Sequence, residues 1–232
     1  MGRRLILIRH GQTVYNATGR MQGHLDTALS NAGEKQAEAA GRLLKNQGIT
    51  RILASDLSRA RVTAELVGKQ LGVDVEVDAR LRETHLGKWQ GMTSAEVDEQ
   101  FPGARAIWRH DPTWAPPGGE SRVEVAERAR PAIDDLMREY VDWDGHTVLV
   151  VAHGGAIAAL TCNLIALHSQ QYQMLSGLKN THWAQLTARP SFDPQHPNTP
   201  VRFNSDNVEN ANWYFDGWNM GAHVIGGAGA DI

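Results

Sequence analysis

The 232-residue chain is long enough for one large domain, and its 41% content of hydrophobic residues can supply a sizeable core. The formal net charge of -3 and the sequence pI of about 6.4 leave no overall basic field. We therefore expect neither nucleic acid nor a membrane surface as a partner. Any anion must be bound by a local cluster of cations.

Apolar runs of strand length alternate with stretches of helical periodicity along most of the chain. Ser30 can cap a helix that continues to about Gln47, and a second helix is predicted after Asp56. Ser121 and Glu124 form a capping-box pair that opens a third, longer helix. The apolar runs predict strands at 5–8, 51–54, 73–77 and 147–151.

Two segments depart from this simple alternation. Residues 148–167 carry no formal charge over a length that could span a bilayer, but Gly154 and Gly155 break the run and His153 would be unpaired in lipid. We therefore predict a buried strand, a tight turn and a buried helix there. Residues 84–120 are rich in Trp, Pro and Gly and predict an excursion above the sheet.

The alternation of strands and helices predicts an α/β fold, because parallel strands need intervening helices as crossovers. We expect a mainly parallel sheet flanked by helices on both faces, in a three-layer α/β/α arrangement. Residues 1–232 are predicted to form one domain, with the excursion 84–120 over the site and a poorly ordered C-terminal tail. That tail ends in the glycine-rich stretch 226–232.

Two of the predicted strands run directly into a histidine followed by glycine. The first is "LILIRHGQT", which contains Arg9 and His10, and the second is "VLVVAHGGA", which contains His153 and Gly154. In an open parallel sheet, ligands bind beyond the carboxyl ends of the strands, so both histidines are expected to face one crevice. A glycine after each histidine lets the backbone approach a ligand closely and offers an N–H to an anion.

Two further charged side chains are expected at the same edge of the sheet. Arg59, in "SDLSRARVTA", lies one turn into the helix that follows a strand and can lean back over the strand ends. Glu83, in "RLRETHLGKWQG", follows the strand that ends near Val77. The fold would then bring together two arginines, two histidines and one glutamate.

This combination of side chains suits phosphoryl transfer through a covalent phosphohistidine. Arg9 and Arg59 offer planar guanidinium groups that match phosphate oxygens and hold down the pKa of a nearby imidazole. His10 would present a free nitrogen lone pair as the nucleophile, and His153 would donate to a phosphoryl oxygen. Glu83 can protonate the leaving alkoxide and later activate water.

Each of these residues also has a plainer interpretation. His10 and His153 could be metal ligands, although no third ligand stands at a recognisable spacing. Arg59 could form an ordinary ion pair on a helix surface. Glu83 could belong to a solvated run of charges, and Asn16 could be only a turn residue.

Four segments of the chain, in this order, resemble the sequence blocks of the histidine phosphatase superfamily, which is also called phosphoglycerate mutase-like. They are "LILIRHGQT", "SDLSRA", "LRETHLGKWQG" and "AHGG", and they reach from residue 5 to about 155. The resemblance implies that His10 is the phosphorylated nucleophile and that Glu83 is the proton donor. The phosphate- and substrate-binding pocket it implies consists of Arg9, Asn16, Arg59, His153 and Gly154.

The same resemblance implies a phosphatase that needs no cofactor or metal and hydrolyses glucosyl-3-phosphoglycerate or a related phosphorylated sugar or glycerate. Its partner is then a small phosphorylated molecule, and the family leads us to expect a homodimer. Two alternatives stay open, a phosphoglycerate mutase with the same pocket and a phosphate-sensing module without turnover. The short excursion favours the phosphatase over the mutase, and the presence of both His10 and Glu83 favours an enzyme.

Substrate contacts are predicted within and just after the excursion. Trp108 and Trp114 could stack on a sugar ring or could only pack the excursion. Arg105, Arg109 or Arg122 could meet a carboxylate.

The chain's single cysteine and its first residues predict a cytoplasmic location. Cys162 cannot form an internal disulfide, and its apolar neighbours suit a buried thiol in a reducing compartment. The apolar run at 5–8 is too short for the core of a signal peptide.

Overall fold

A computed structural model describes residues 2–192, 194 and 201–221 of the chain. Within this part, the strands are β1 (Arg3–Arg9), β2 (Ile49–Ala54), β3 (Val75–Val77), β4 (Thr147–Ala152), β5 (Trp183–Arg189) and β6 (Asn212–Met220). The helices are α1 (Val14–Ala17), α2 (Asn31–Leu44), α3 (Ser58–Leu71), α4 (Ser94–Gln100), α5 (Ala104–His110), α6 (Arg122–Glu139) and α7 (Gly154–Leu164). Short 3-10 helices lie at Ala79–Leu81, Gly87–Trp89, Val141–Trp143, Ser169–Met174 and Val208–Asn210.

The strands form one sheet in the order β3-β2-β4-β1-β5-β6. The strands β1 to β4 run parallel to one another, whereas β5 is antiparallel to both of its neighbours, β1 and β6. The predicted α/β fold with a mainly parallel sheet is confirmed. The antiparallel edge formed by β5 and β6 was not predicted from the sequence.

The sheet separates two hydrophobic cores. Leu5 and Leu7 of β1 pack with residues of α6 and α7, whereas Ile6 and Ile8 pack with residues of α2 and α3. All four of these side chains are fully buried. An uninterrupted apolar run is what a strand covered by helices on both faces requires, so the three-layer prediction is confirmed.

Several predicted element ends are wrong by one to three residues, and hydrogen bonds explain two of them. The helix α2 begins after its predicted cap Ser30 but ends at Leu44, because the N–H of Gln47 donates to the Leu44 carbonyl (3.0 Å) and tightens the final turn. The strand β3 begins at Val75 rather than at Val73. The N–H of Val73 instead donates to the Gly68 carbonyl (3.1 Å). This bond belongs to the C-terminal turn that ends α3.

The uncharged segment 148–167 forms the end of strand β4, a turn at His153 and the helix α7, as predicted. Most of its residues are buried, whereas Gly155 and Ala166 are exposed. Among the residues that the structure describes, no helix is long and apolar enough to cross a membrane.

The excursion 84–120 carries α4 and α5 and has its own small core. Trp89 is fully buried at its centre, with the rings of Trp108 and Trp114 at 5.8 and 5.6 Å from the Trp89 ring. The frayed end expected at 226–232 lies outside the described residues. Of the expected C-terminal tail, Asn212–Met220 is the edge strand β6.

Candidate active site

The two histidines that follow β1 and β4 lie side by side at one edge of the sheet. The strands β1 and β4 are paired in parallel with Arg9 opposite Ala152. The backbone therefore leaves the sheet at the same level after both strands. The ring centroids of His10 and His153 are 5.2 Å apart, and the two residues are 2% and 0% exposed. Both imidazoles therefore lie at the carboxyl ends of the strands, as predicted, and His10 lines the crevice there.

Hydrogen bonding fixes the proton of His10 on one ring nitrogen. The Nδ1 atom of His10 lies 2.7 Å from the Gly11 carbonyl oxygen. A carbonyl can only accept, so Nδ1 carries the proton and donates it. The lone pair of neutral His10 is then on Nε2.

The electrostatic surroundings keep both imidazoles neutral. Burial and the positive charges of Arg9 and Arg59 hold the pKa of His10 well below its usual value of 6.5. Burial also lowers the pKa of His153 strongly, with Arg59 as the next cause. A neutral imidazole at physiological pH is what a nitrogen nucleophile requires.

The two arginines are held by carbonyl oxygens rather than by carboxylates. Arg9 donates from Nη1 to the Leu178 carbonyl (2.6 Å), and Arg59 donates to the carbonyls of Leu25 (2.8 Å) and Gly23 (2.7 Å). Burial lowers the pKa of Arg59 to about 10, so its guanidinium stays charged at neutral pH. Among the described residues neither arginine forms an ion pair with a carboxylate, although the charge of Glu83 acts on both. Their guanidinium groups therefore remain available to an anion.

Three buried nitrogen atoms of the site have no hydrogen-bond partner among the described residues. They are Nε of Arg9, Nε of Arg59 and Nδ1 of His153. The other ring nitrogen of His153 lies 2.9 Å from the Ser55 hydroxyl, which itself accepts from the N–H of Leu57 and can therefore donate its proton to His153. Unpaired buried donors are costly in a folded protein, and a tetrahedral oxyanion is a ligand that would pair them.

Glu83 is held at the N-terminus of α7. Its two carboxylate oxygens accept from the backbone N–H groups of Gly155 (3.0 Å), Ala156 (2.9 Å) and Thr84 (2.8 Å). These three bonds fix the position of the carboxyl group at the start of the helix. On the backbone side, Arg128 donates to the Glu83 carbonyl (3.1 Å) and thereby anchors the segment that carries Glu83.

A cavity of about 220 Å³ opens onto these groups. Predicted site residues that line it are Arg9, His10, Asn16, Arg59 and Glu83. Gln22 and Gly155, which were not predicted, line it as well. His153 contacts His10 behind this cavity, and Gly154 lines a second, larger cavity that also begins at Arg9 and Glu83.

The glycines after the histidines differ in their roles, which corrects the expectation that both offer an N–H to an anion. The N–H of Gly11 is donated to the Thr63 hydroxyl (3.0 Å), and a Cβ at Gly11 would collide with the backbone of Gly33. At Gly154, a Cβ would meet nothing closer than Nε of Arg9 at 3.5 Å. Of the two glycines, only Gly154 therefore presents its N–H to a ligand, at the N-terminus of α7.

Other predicted contacts are placed away from the site. Trp114 packs on Trp89, and Arg105 forms a two-bond ion pair with Asp98 (2.7 and 2.8 Å). Neither residue lines the cavities at the strand ends. Among residues 2–192, 194 and 201–221, no group of three or more His, Cys, Asp or Glu side chains is placed to hold a metal ion.

Comparison with known proteins places this geometry in a family. The model of the histidine phosphatase superfamily (branch 1) matches residues 5–193. This chain belongs to the histidine phosphatase superfamily. The predicted recognition is confirmed, and with it the prediction of a phosphatase of this superfamily.

Several individual relatives are similar over nearly their whole length. The glucosyl-3-phosphoglycerate phosphatase of Mycolicibacterium vanbaalenii is 46% identical over 226 residues, which cover 96% of each chain. A solved mycobacterial glucosyl-3-phosphoglycerate phosphatase with VO3 is 44% identical, with a TM-score of 0.84 over 94% of this chain and 100% of that chain. The same mycobacterial phosphatase solved with inorganic phosphate has a TM-score of 0.82, at 44% identity over 94% of this chain and 97% of that chain.

Some residues that shape the site of this histidine phosphatase were not predicted from the sequence. Ser55 and Thr63 hold His153 and Gly11, and Gly155 and Arg128 hold Glu83. The doubled glycine in "AHGG" is a signal for Gly155. The others act through contacts between residues distant in sequence, and no local pattern marks them.

Replacing Gly155 with Ala should reduce kcat by about ten- to a hundredfold with little loss of stability. The new Cβ would lie 2.6 Å from Oε1 of Glu83, so the carboxylate must move, and a displacement of about 1 Å of a catalytic group costs this much. Gly154→Ala is the matched comparison, because its Cβ makes only ordinary contacts, and it should reduce kcat less. The check is steady-state kinetics together with thermal unfolding, and equal losses in the two variants would contradict the explanation.

Proposed function

We propose that this histidine phosphatase hydrolyses glucosyl-3-phosphoglycerate through a phosphohistidine on His10. The observation that carries the proposal is His10, whose Nδ1 donates to the Gly11 carbonyl and which lines one cavity together with Arg9 and Arg59. Burial and these two arginines keep its imidazole neutral. A nucleophile of this kind needs an uncharged nitrogen and cations that stabilise the oxygens of the transferred group.

In the first step, Nε2 of His10 attacks the phosphorus atom of the bound monoester. The N–P bond forms as the bond from phosphorus to the substrate's alkoxide oxygen breaks. Glu83 enters this step with a proton on Oε2, while Oε1 keeps the bonds from Thr84 and Ala156. It gives that proton to the alkoxide oxygen, so the alcohol leaves neutral. Arg9 and Arg59 bind the equatorial oxygens, and His153 donates from Nδ1 to one of them.

In the second step, a water molecule attacks the phosphorus atom of the phosphohistidine. Glu83, now a carboxylate, accepts a proton from the water as the new O–P bond forms. The N–P bond breaks and its electron pair returns to Nε2. Inorganic phosphate leaves, and both His10 and Glu83 regain their starting protonation.

Two observations support the substrate. Relatives that are 44–46% identical over nearly the full chain carry the name glucosyl-3-phosphoglycerate phosphatase. A second cavity of about 830 Å³ begins at Arg9 and Glu83 and gives room for a sugar and a glycerate beyond the phosphoryl group.

The test is a side-by-side measurement of kcat/KM on glucosyl-3-phosphoglycerate, 3-phosphoglycerate, simple sugar phosphates and an aryl phosphate. The proposal predicts the highest kcat/KM for glucosyl-3-phosphoglycerate. If simple sugar phosphates are hydrolysed best, the phosphatase assignment stands and the substrate is wrong. If 3-phosphoglycerate is isomerised rather than hydrolysed, the protein acts as a mutase.

Three further expectations stand as proposals. We propose that residues 1–232 form one histidine phosphatase domain, that the protein is cytoplasmic and that it forms a homodimer. The free, buried Cys162, whose thiol pKa burial raises to about 11, supports a reducing compartment. Light scattering of the purified protein tests the dimer.

A further inference from the structure

Beside the phosphate site, the 830 Å³ cavity is lined by several arginines. Arg109 and Arg122 line it together with Arg9. Glu83 is its only acidic lining residue among those described. A ligand whose phosphoryl group lies at Arg9 therefore has its remaining atoms next to positive charge.

Arg122 differs from most arginines of this chain in having no carboxylate partner among the described residues. Its Nη1 donates to the Arg109 carbonyl (3.2 Å), and its guanidinium lies 5.1 Å from the centre of the Trp108 ring. Other arginines of the same region are neutralised, such as Arg105 by Asp98 and Arg128 by Glu120. The contacts of Arg122 orient its guanidinium and leave its charge uncompensated.

The position of Arg122 is unfavourable for folding alone. It is the first residue of α6, immediately after the cap Ser121, where the helix dipole disfavours a cation. The residue is half-buried, and burial lowers its pKa from the usual arginine value. An anionic ligand in the cavity would compensate both costs.

Arg109 is less suited to this task. It is exposed, and its charge already helps to lower the pKa of Asp98. Trp108 lines both cavities, but the guanidinium of Arg122 lies over its ring. Arg122 is thus the cation of this cavity that combines a fixed orientation with an unpaired charge.

We propose that Arg122, held against Trp108, binds the carboxylate of the substrate's glycerate and makes the enzyme selective for phosphorylated carboxylic acids. The inference rests on the proposed function, since it assigns a second anchoring point to the same substrate. Arg9 and Arg59 bind the phosphoryl group, and Arg122 binds the carboxylate at the other end of the glycerate.

The experiment compares two substrates that differ only in the carboxylate. They are glucosyl-3-phosphoglycerate and the corresponding glucosylglycerol phosphate, in which a hydroxymethyl group replaces the carboxylate. Arg122→Gln should lower kcat/KM about ten- to a hundredfold for the acid and less than about threefold for the alcohol, as expected for a lost charged hydrogen bond. Arg122→Lys should recover part of the preference for the acid over the alcohol. Lysine restores the positive charge but cannot donate the two parallel hydrogen bonds of a guanidinium.

Arg105→Gln is the matched control, because it removes a nearby arginine that is already paired with Asp98. It should leave the ratio of the two kcat/KM values unchanged. Equal losses on both substrates in Arg122→Gln, or no loss on either, would overturn the carboxylate site. An aryl phosphate measured in parallel separates the two proposals, since a wild-type enzyme inactive on all three substrates would overturn the proposed function and this inference with it.

Discussion

Replacing His10 with Asn should lower kcat by roughly three to six orders of magnitude, the range seen when a covalent nucleophile is removed. The loss should be the same for alkyl and aryl phosphates, because both must transfer their phosphoryl group to Nε2. Asn is close in size and can still donate to the Gly11 carbonyl, which His10 contacts at 2.7 Å. Stopped or continuous phosphate-release assays measure the effect.

His146 provides the control for this substitution. It lies just before β4, at the opposite edge of the sheet from His153, and its Nδ1 contacts the Asp142 carbonyl at 2.9 Å. His146→Asn should keep kcat within about twofold, as surface changes away from a site usually do. A His10→Asn enzyme with more than a tenth of wild-type activity would remove His10 from the role of nucleophile.

Changing Glu83 to Gln should slow hydrolysis of substrates with alkoxide leaving groups by roughly two to four orders of magnitude, the contribution of a positioned general acid. A nitrophenyl phosphate, whose leaving group needs no proton, should lose much less in the first step. The Gln side chain is nearly isosteric with Glu. Its single oxygen cannot replace both carboxylate oxygens, which accept separately from the N–H groups of Gly155 and Ala156. Kinetics on the two substrate types give the contrast.

The size of the difference between substrates decides the role of Glu83. Pre-steady-state measurement of the nitrophenolate burst separates formation of the phosphoenzyme from its hydrolysis. The variant should keep the burst and show a slow second phase, because Glu83 also activates water. Equal losses for both substrates in the first phase would show that Glu83 only positions the site.

Much of the site could be predicted because its residues follow strand ends. A histidine at the carboxyl end of β1 and another at the end of the neighbouring strand β4 must meet once the sheet is parallel. Arg59 in the first turn of α3 and Glu83 after β3 reach the same edge for the same reason. The periodicity of the apolar residues therefore predicted both the layers of the fold and the cluster of charged groups.

The antiparallel edge was missed because its strands carry weak signals. In β5, the buried Ala184, Leu186 and Ala188 alternate with polar residues, but two of these three side chains are only methyl groups. The strand β6 is an edge strand of mixed polar and aromatic residues, several of them exposed, so no hydrophobic face marks it. Its pairing with β5 is decided by backbone hydrogen bonds that a single sequence does not reveal.

Contacts within the site between residues far apart in sequence were also beyond prediction. The local composition of the excursion left two interpretations of Trp114 open, sugar stacking and packing, and its neighbour in the structure is the buried Trp89. The role of Gly155 depends on the position of the Glu83 carboxylate, which lies 72 residues away along the chain. Such pairs become visible only when three-dimensional packing is known.

We expect catalysis by this histidine phosphatase to pass through a phosphate bound to Nε2 of His10. The most direct test mixes the wild-type enzyme with glucosyl-3-phosphoglycerate, quenches within milliseconds without acid and maps the phosphorylated peptide by mass spectrometry under alkaline conditions. An acid-labile, base-stable phosphate should be found on His10, should appear before free phosphate and should be absent from His10→Asn. Phosphate on a serine, or release of phosphate at the full steady-state rate with no adduct on His10, would contradict it.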